Sequence, residues 1–146
     1  MRPIILDASV VAKWYIAEED SEKAVRIRDL HSAGGLRLSE PDLVLYELGN
    51  ALSKHPAFTE GDLVRALESF LDLGIELVDL AEPGLLRMCF EASKRSRVTF
   101  YDAAYAALAK MRGGALLTAD EGLRDKVGGY CEVQLLRDFS LAEPNP

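Results

Sequence analysis

Four acidic residues stand in surroundings that do not suit a solvated acid. They are Asp7 in Ile-Leu-Asp-Ala-Ser-Val-Val, Glu47 in Leu-Tyr-Glu-Leu-Gly-Asn-Ala-Leu, Asp102 in Thr-Phe-Tyr-Asp-Ala-Ala-Tyr-Ala-Ala, and Asp120 in Leu-Leu-Thr-Ala-Asp-Glu-Gly-Leu. Two carboxylates about 4 Å apart repel by roughly 4 kcal/mol at an effective dielectric near 20. If three or four of these acids meet in space, they stay together only with bound protons or with a cation. A site of oxygen donors alone selects hard ions, Mg2+ or Mn2+. No His converges with the acids in the sequence to suggest zinc.

Each acid taken singly also has a purely structural reading. Asp7 and Asp120 are placed to cap the helices that follow them. Asp102 stands three residues after Thr99, the spacing of a capping box. Glu47 is the exception: it falls inside a helical pattern, one turn from Leu43, Val44 and Ala51, on the apolar face.

The elements that would position these residues follow from the alternation of short apolar runs with longer helical periodicities. Strands are expected at Pro3–Leu6, Leu36–Leu38, Ile75–Val78, Ala115–Thr118 and Glu132–Leu135. Helices are expected at Ser9–Tyr15, Ser21–Ser32, from Pro41 to about Lys54, from Thr59 to near Gly74, from Glu82-Pro83 to about Lys94, at Thr99–Met111, and at Glu121–Val127. Pro41 fits the first turn of its helix, and Thr59-Glu-Gly-Asp62 reads as a capping box. This alternation implies an α/β fold, a parallel sheet covered by helices on both faces. Ligands in such sheets gather beyond the carboxyl ends of the strands, at a switch in strand order. Asp7 and Asp120 both follow strands.

With 146 residues, 49% of them hydrophobic and 28% charged, the chain suits one domain, 1–146, with 142–146 as a frayed tail. The longest apolar run, Ala103–Ala109, falls far short of the about 18 residues of a membrane span. No secretory signal is expected before Asp7, and Cys89 and Cys131 read as two reduced core thiols, so the expected location is the cytoplasm. His31 and His55 are expected at the surface. The net charge, 17 − 24 = −7, argues against a broad nucleic-acid interface but not against a small one built around a bound cation.

The four acidic segments together resemble the signature of the PIN-domain family, and especially its VapC-type toxin branch. The likeness runs over nearly the whole chain: strand-Asp-x-Ser, Pro-Asp-Leu-x-x-x-Glu-x-x-Asn, Tyr-Asp-Ala-x-x-x-Ala-x-Ala and Leu-x-Thr-x-Asp, in that order. The resemblance implies a three-layer α-β-α fold with a five-stranded parallel sheet ordered 3-2-1-4-5. It implies that Asp7, Glu47, Asp102 and Asp120 hold Mg2+ or Mn2+, with Ser9, Asn50 and Thr118 in supporting polar positions. It further implies hydrolysis of RNA phosphodiester bonds, the toxin role in a type II toxin–antitoxin pair, a cognate antitoxin partner and a homodimer.

Other residues are weighed on the same basis. Lys94, Arg95 and Arg97, just before Thr99, suit flanking phosphates of RNA, or simply the C-terminal dipole of a helix. Lys13 is placed to assist near Asp7 or to face solvent. Asp125, between Arg124 and Lys126, reads more readily as a surface acid than as a fifth site residue. The apolar stretches Trp14–Ile16 and Leu63–Phe70 would serve a partner surface or, more simply, the core. A receiver domain with its acid at Asp79 lacks the acidic pair after the first strand and the lysine after the fifth. An aspartyl phosphatase lacks the second acid, since Ser9 stands there. A housekeeping RNA-processing nuclease and a non-catalytic binding module on the same fold remain as alternatives.

Overall fold

The computed structural model describes residues 1–141, and the tail expected at 142–146 lies outside them. In chain order the elements are β1 (Ile4–Leu6), α1 (Ala8–Val11) with a 3-10 turn (Ala12–Trp14), α2 (Ser21–Ser32), β2 (Ser39–Pro41), α3 (Leu43–Ser53) and α4 (Glu60–Leu71). They continue with β3 (Glu76–Val78), α5 (Leu85–Ser96), α6 (Phe100–Met111), β4 (Ala115–Thr118), α7 (Glu121–Val127), β5 (Val133–Leu135) and a closing 3-10 turn (Leu136–Asp138). All the strand pairs are parallel, as the alternation of strands and helices requires.

Helix α6 organises the interior. Its residues from Ala103 to Leu108 and Ala109 are all buried, and it packs on β1, β2, β4 and α5. A helix that is apolar all round belongs in a core, and its alanines let the strands approach closely. Thr99 caps it by accepting from the Asp102 N–H at 3.1 Å. Two glycines then turn the chain into β4. Gly113 has φ +64°, and a Cβ at Gly114 would fall 2.1 Å from the Pro3 carbonyl oxygen, so only glycine lets β4 start beside β1. The expected capping box at α4 is present: Thr59 Oγ1 accepts from the Asp62 N–H, and the Asp62 carboxylate accepts from the Thr59 N–H.

The expected continuous five-stranded sheet is not what forms. Among the described residues, a three-stranded sheet, β1-β4-β5, and a two-stranded sheet, β2-β3, are joined by a parallel bridge between Ile4 and Leu38 and not by a continued ladder. The physical reason lies in Glu40-Pro41. Ile4 N–H donates to the Arg37 carbonyl at 2.9 Å, which begins a ladder with the chain leading into β2. In a parallel ladder, the next rungs would join Leu6 N–H to the carbonyl of residue 39, and Leu6 C=O to the N–H of residue 41. Pro41 has no N–H to give. Leu6 N–H donates instead to the Glu40 side chain, Oε1 at 2.6 Å.

The same residues correct the placing of β2. It lies at Ser39–Pro41 rather than Leu36–Leu38, and Pro41 ends this strand instead of opening a helix. Asp42 N–H still bonds to the Val78 carbonyl, so α3 starts only at Leu43. Likewise α5 starts at Leu85, after Gly84 with φ +87°, rather than at Glu82-Pro83.

Two placements of side chains, His31 and Lys13, differ from expectation, while Trp14 and Phe70 follow the simpler reading and lie in the core. His31 is not a surface residue: it is part-buried, with Nε2 against the Leu73 carbonyl at 3.0 Å and Nδ1 accepting from Leu38 N–H at 3.1 Å. It thus ties α2 to the approaches of β2 and β3. Trp14 and Phe70 do not form a partner surface, because their rings stack at 6.0 Å inside the core. Lys13 does not face solvent; it is buried, with Nζ 3.2 Å from Glu18. Cys89 and Cys131 are free thiols, and burial pushes each up to about 11. No helix among the described residues is long and apolar enough to cross a membrane.

Candidate active site

Parallel pairing of β1 with β4, Leu6 opposite Leu117, brings Asp7 beside Thr118. Asp7 is only 7% exposed, and both its oxygens are engaged. Oδ1 accepts from Ser9 N–H at 2.9 Å and from the Ser9 hydroxyl, while the Thr118 hydroxyl donates to Oδ2. Burial raises the Asp7 carboxyl above its ordinary value, and these hydrogen bonds only partly offset that. Thr118 Oγ1 in turn accepts from Asp120 N–H at 3.0 Å, and Asp120 Oδ1 caps α7 through Leu123 N–H at 3.2 Å. Capping and convergence are therefore not alternatives for Asp7 and Asp120. The caps turn the chain back across the ends of β1 and β4, and so place both acids there.

Asp102 comes to the same end of the sheet from the N-terminus of α6. Burial raises its carboxyl, and the nearby charge of Asp120 raises it further, with Lys126 acting in the opposite sense. Glu47 arrives from α3 and is tied across 58 residues to α6, where Tyr105 donates its hydroxyl at 2.6 Å. Tyr105 is buried one turn after Asp102, and burial, the bond to Glu47 and the charges of Glu47, Glu40 and Asp7 all hold its phenol protonated. An open groove beside this cluster is lined by Ser9, Lys13, Glu18, Glu47, Asn50 and Lys54. Asn50 is exposed on the same helix as Glu47, three residues on.

Lys94, Arg95, Arg97 and Asp125, also weighed from the sequence, are all exposed. Lys94 and Arg95 are exposed in the last turn of α5, the favourable end for cations, and Arg97 ends that helix with φ +55°. Asp125 is a surface acid, paired with Arg124 at 3.0 Å.

Three residues near the acids were not singled out from the sequence. Tyr105 lay in view inside the alanine-rich segment, but its partner is visible only in space. Lys126 gives no local sign that its charge reaches Asp102. Glu40, wholly buried, carries the one clear signal: an acid between Leu38 and Pro41 with no polar company beyond Ser39.

A PIN-domain family model matches residues 4–128, a span that holds all four acids and both sheets' pairing partners as far as β4. The chain belongs to the PIN-domain family. A relative from Pyrobaculum aerophilum, Ribonuclease VapC3, is 35% identical over 130 residues, covering 84% of this chain and 93% of its own. Exonuclease VapC9 of the same organism is 34% identical over 94 residues, covering 64% and 70%. Among solved structures, a member of the VapBC family of toxin–antitoxin systems, VapBC-5 from Mycobacterium tuberculosis, superposes with a TM-score of 0.60 at 20% identity, covering 92% and 98%. This PIN-domain chain thus sits with the VapC branch.

The PIN-domain acids offer oxygen donors only, which is the chemistry of a hard divalent ion. As placed, however, no three His, Cys, Asp or Glu side chains among the described residues are gathered closely enough to hold a metal ion. Asp7 is satisfied by two hydroxyls and Glu47 by a phenol. The donor types fit a cation, and a carboxylate that accepts one or two hydrogen bonds keeps lone pairs free to ligate one.

Removing the phenol tests how far Glu47 depends on it. Tyr105→Phe is expected to cost about 1.5–3 kcal/mol of stability, the range for a hydrogen bond to a charged group. RNA cleavage is expected to fall with it. Urea unfolding at pH 7 together with a cleavage assay would check this, and an unchanged midpoint with full activity would show that the Tyr105–Glu47 bond carries nothing.

Proposed function

We propose that this chain is a Mg2+- or Mn2+-dependent endoribonuclease, the toxin of a type II toxin–antitoxin pair, acting in the cytoplasm. The observation that carries the reading is the nearly buried Asp7 carboxylate at the head of β1. It shares Thr118 with the turn that brings in Asp120, while Asp120 faces Asp102 closely enough to raise its pKa. A carboxyl raised by burial and by a neighbouring acid marks a site suited to a cation or a proton. The names of the ribonuclease and exonuclease relatives support nuclease chemistry.

In this reading Asp7, Glu47, Asp102 and Asp120 would hold the ion. When bound, a divalent cation lowers the pKa of a water, orients it, and neutralises charge growing on the phosphate. The chain's own residues do the rest. Ser9 and Thr118 fix the Asp7 carboxylate, and Tyr105 fixes Glu47. Asn50 and Lys54 along the groove, with Lys13 in its wall paired to Glu18, supply a small polar track for the backbone of an RNA strand, which suits a protein of net charge −7. Lys94, Arg95 and Arg97 would meet flanking phosphates. The free, unshifted-toward-reactivity thiols suit a reducing compartment, since burial keeps both protonated.

Partner binding belongs to the same proposal. The toxin–antitoxin setting of the structural relative supports a cognate antitoxin. The exposed apolar side chains Tyr46, Leu80, Leu86, Phe90 and Tyr101 form a better candidate surface for that partner, or for a second copy in a homodimer, than the buried Trp14 and Phe70. Copurification with a small protein would support the antitoxin.

A thermal melt with and without Mn2+ tests the metal directly. An ion that binds only the native state adds about 2.7 kcal/mol of stability at a hundredfold excess over its dissociation constant. The midpoint should rise with Mn2+, and RNA cleavage should stop in excess EDTA. Undiminished cleavage in EDTA would overturn the reading. A circular RNA distinguishes the endonuclease from an exonuclease of the kind the second relative is named for: only the former opens a circle.

A further inference from the structure

Glu40 is wholly buried in β2, Oε1 accepts the Leu6 N–H at 2.6 Å, and Oε2 has no hydrogen-bond partner. A buried carboxyl with an orphaned oxygen is costly, and the one bond it makes could come from a main-chain carbonyl in a regular ladder. Stability therefore does not account for it. Its position does. Leu6 is the last residue of β1, directly before Asp7, and the Glu40 carboxyl stands at the rung where the β1–β2 ladder stops because Pro41 cannot donate. The charge of Asp7 is felt at Glu40, and that of Glu40 at Tyr105, so the carboxyl is within electrostatic reach of the acidic cluster.

We infer that Glu40 is a positioning residue for Asp7. Its carboxyl holds the Leu6 amide where β2 parts from β1, and so sets the direction in which the chain turns toward Ser9 and Thr118. A continued main-chain ladder would carry β2 alongside β1 past Leu6; a side chain satisfies the amide and lets the strands separate at the end where the acids gather. This inference rests on the reading of Asp7 as an acid of the reacting site.

The test compares Glu40→Gln with Glu40→Leu in the full chain. The Gln carboxamide oxygen can still accept from Leu6 N–H; Leu cannot. In Glu40→Leu, native-state exchange of the Leu6 amide should speed up by about tenfold or more, while Glu40→Gln should stay within about threefold of wild type. For RNA cleavage, kcat should fall by about tenfold or more in Glu40→Leu with KM within about twofold, and Glu40→Gln should keep most of the wild-type kcat. The Glu40→Leu midpoint should stay close to that of wild type, because removing the buried carboxyl with its orphaned oxygen offsets the loss of the acceptor for Leu6 N–H. A merely structural role would instead lower midpoint and kcat together. Wild-type kcat in Glu40→Leu, equal losses in both variants, or unchanged Leu6 exchange would each overturn the inference. If the wild-type chain cleaves no RNA, the nuclease reading fails on its own, and Leu6 exchange still decides whether Glu40 holds the strand end.

Discussion

Asp7→Asn is expected to remove RNA cleavage, by on the order of a thousandfold or more, while leaving the fold intact. Losses of that size are usual when one member of a group that acts as a unit is lost. The fold should survive because the carboxamide keeps the same shape. Its oxygen can accept from Ser9 N–H, and its NH2 can donate to Thr118 Oγ1 once that hydroxyl turns. What disappears is the negative charge, which a divalent ion needs and a helix cap does not. Asp102→Asn should behave alike, for a related reason: its carboxyl is raised by burial and then by Asp120. Without metal, either variant should melt at or above the wild-type temperature, since burial and like charges work against the ionised acids. Circular dichroism and a melt in EDTA establish the fold, and a cleavage assay in Mn2+ measures the loss. Wild-type cleavage by both variants would reduce Asp7 and Asp102 to structural caps.

The acids were legible in the sequence because each breaks a local pattern, an anion in apolar or small-residue company just after a strand or on a helix face. The approach of Asp7 to the Thr118–Asp120 turn was legible only jointly, through the alternation of strands and helices that makes β1 and β4 neighbours. Helices were found closely wherever a cap marked them, as at Thr59 and Thr99. β2 was misplaced for a definite physical reason. Strands of three residues are too short to show alternation, and Ser39-Glu40-Pro41 is a polar triplet that nonetheless lies buried. Apolar Leu36–Leu38 looked more like a strand, and a proline argues against one. The same triplet breaks the sheet, so an error of three residues also concealed the split between β1 and β2. Tyr105 and His31 were missed for another reason: the Tyr105 hydroxyl and the His31 Nε2 are satisfied by partners 58 and 42 residues away. Periodicity reports which face is buried, not which polar atom meets which.

The pH dependence of stability should single out Glu40. Burial, with the charge of Asp7 adding to it, raises this carboxyl well above its ordinary value, against the hydrogen bond from Leu6. The native state therefore holds a proton that the unfolded chain releases at about pH 4.3. Stability falls as pH rises wherever the native state binds the extra proton. The contribution is thus fully present below the unfolded value and is lost as pH climbs through the raised one. Glu40→Gln has no proton to lose, so its advantage over wild type should be small near pH 4 and grow toward pH 8. The limiting slope is about 1.4 kcal/mol per pH unit. Asp62 and Glu76, whose carboxyls are lowered by hydrogen bonds and by Arg65 and Arg112, favour the opposite trend, losing stability in acid. They are present in both proteins and cancel in the difference. Urea unfolding of the two proteins in EDTA at several values between pH 4 and pH 8 gives that difference directly. A constant gap across the range would mean that Glu40 is ionised alike in the folded and unfolded chain, and that the cost of burying it is met by something other than a proton.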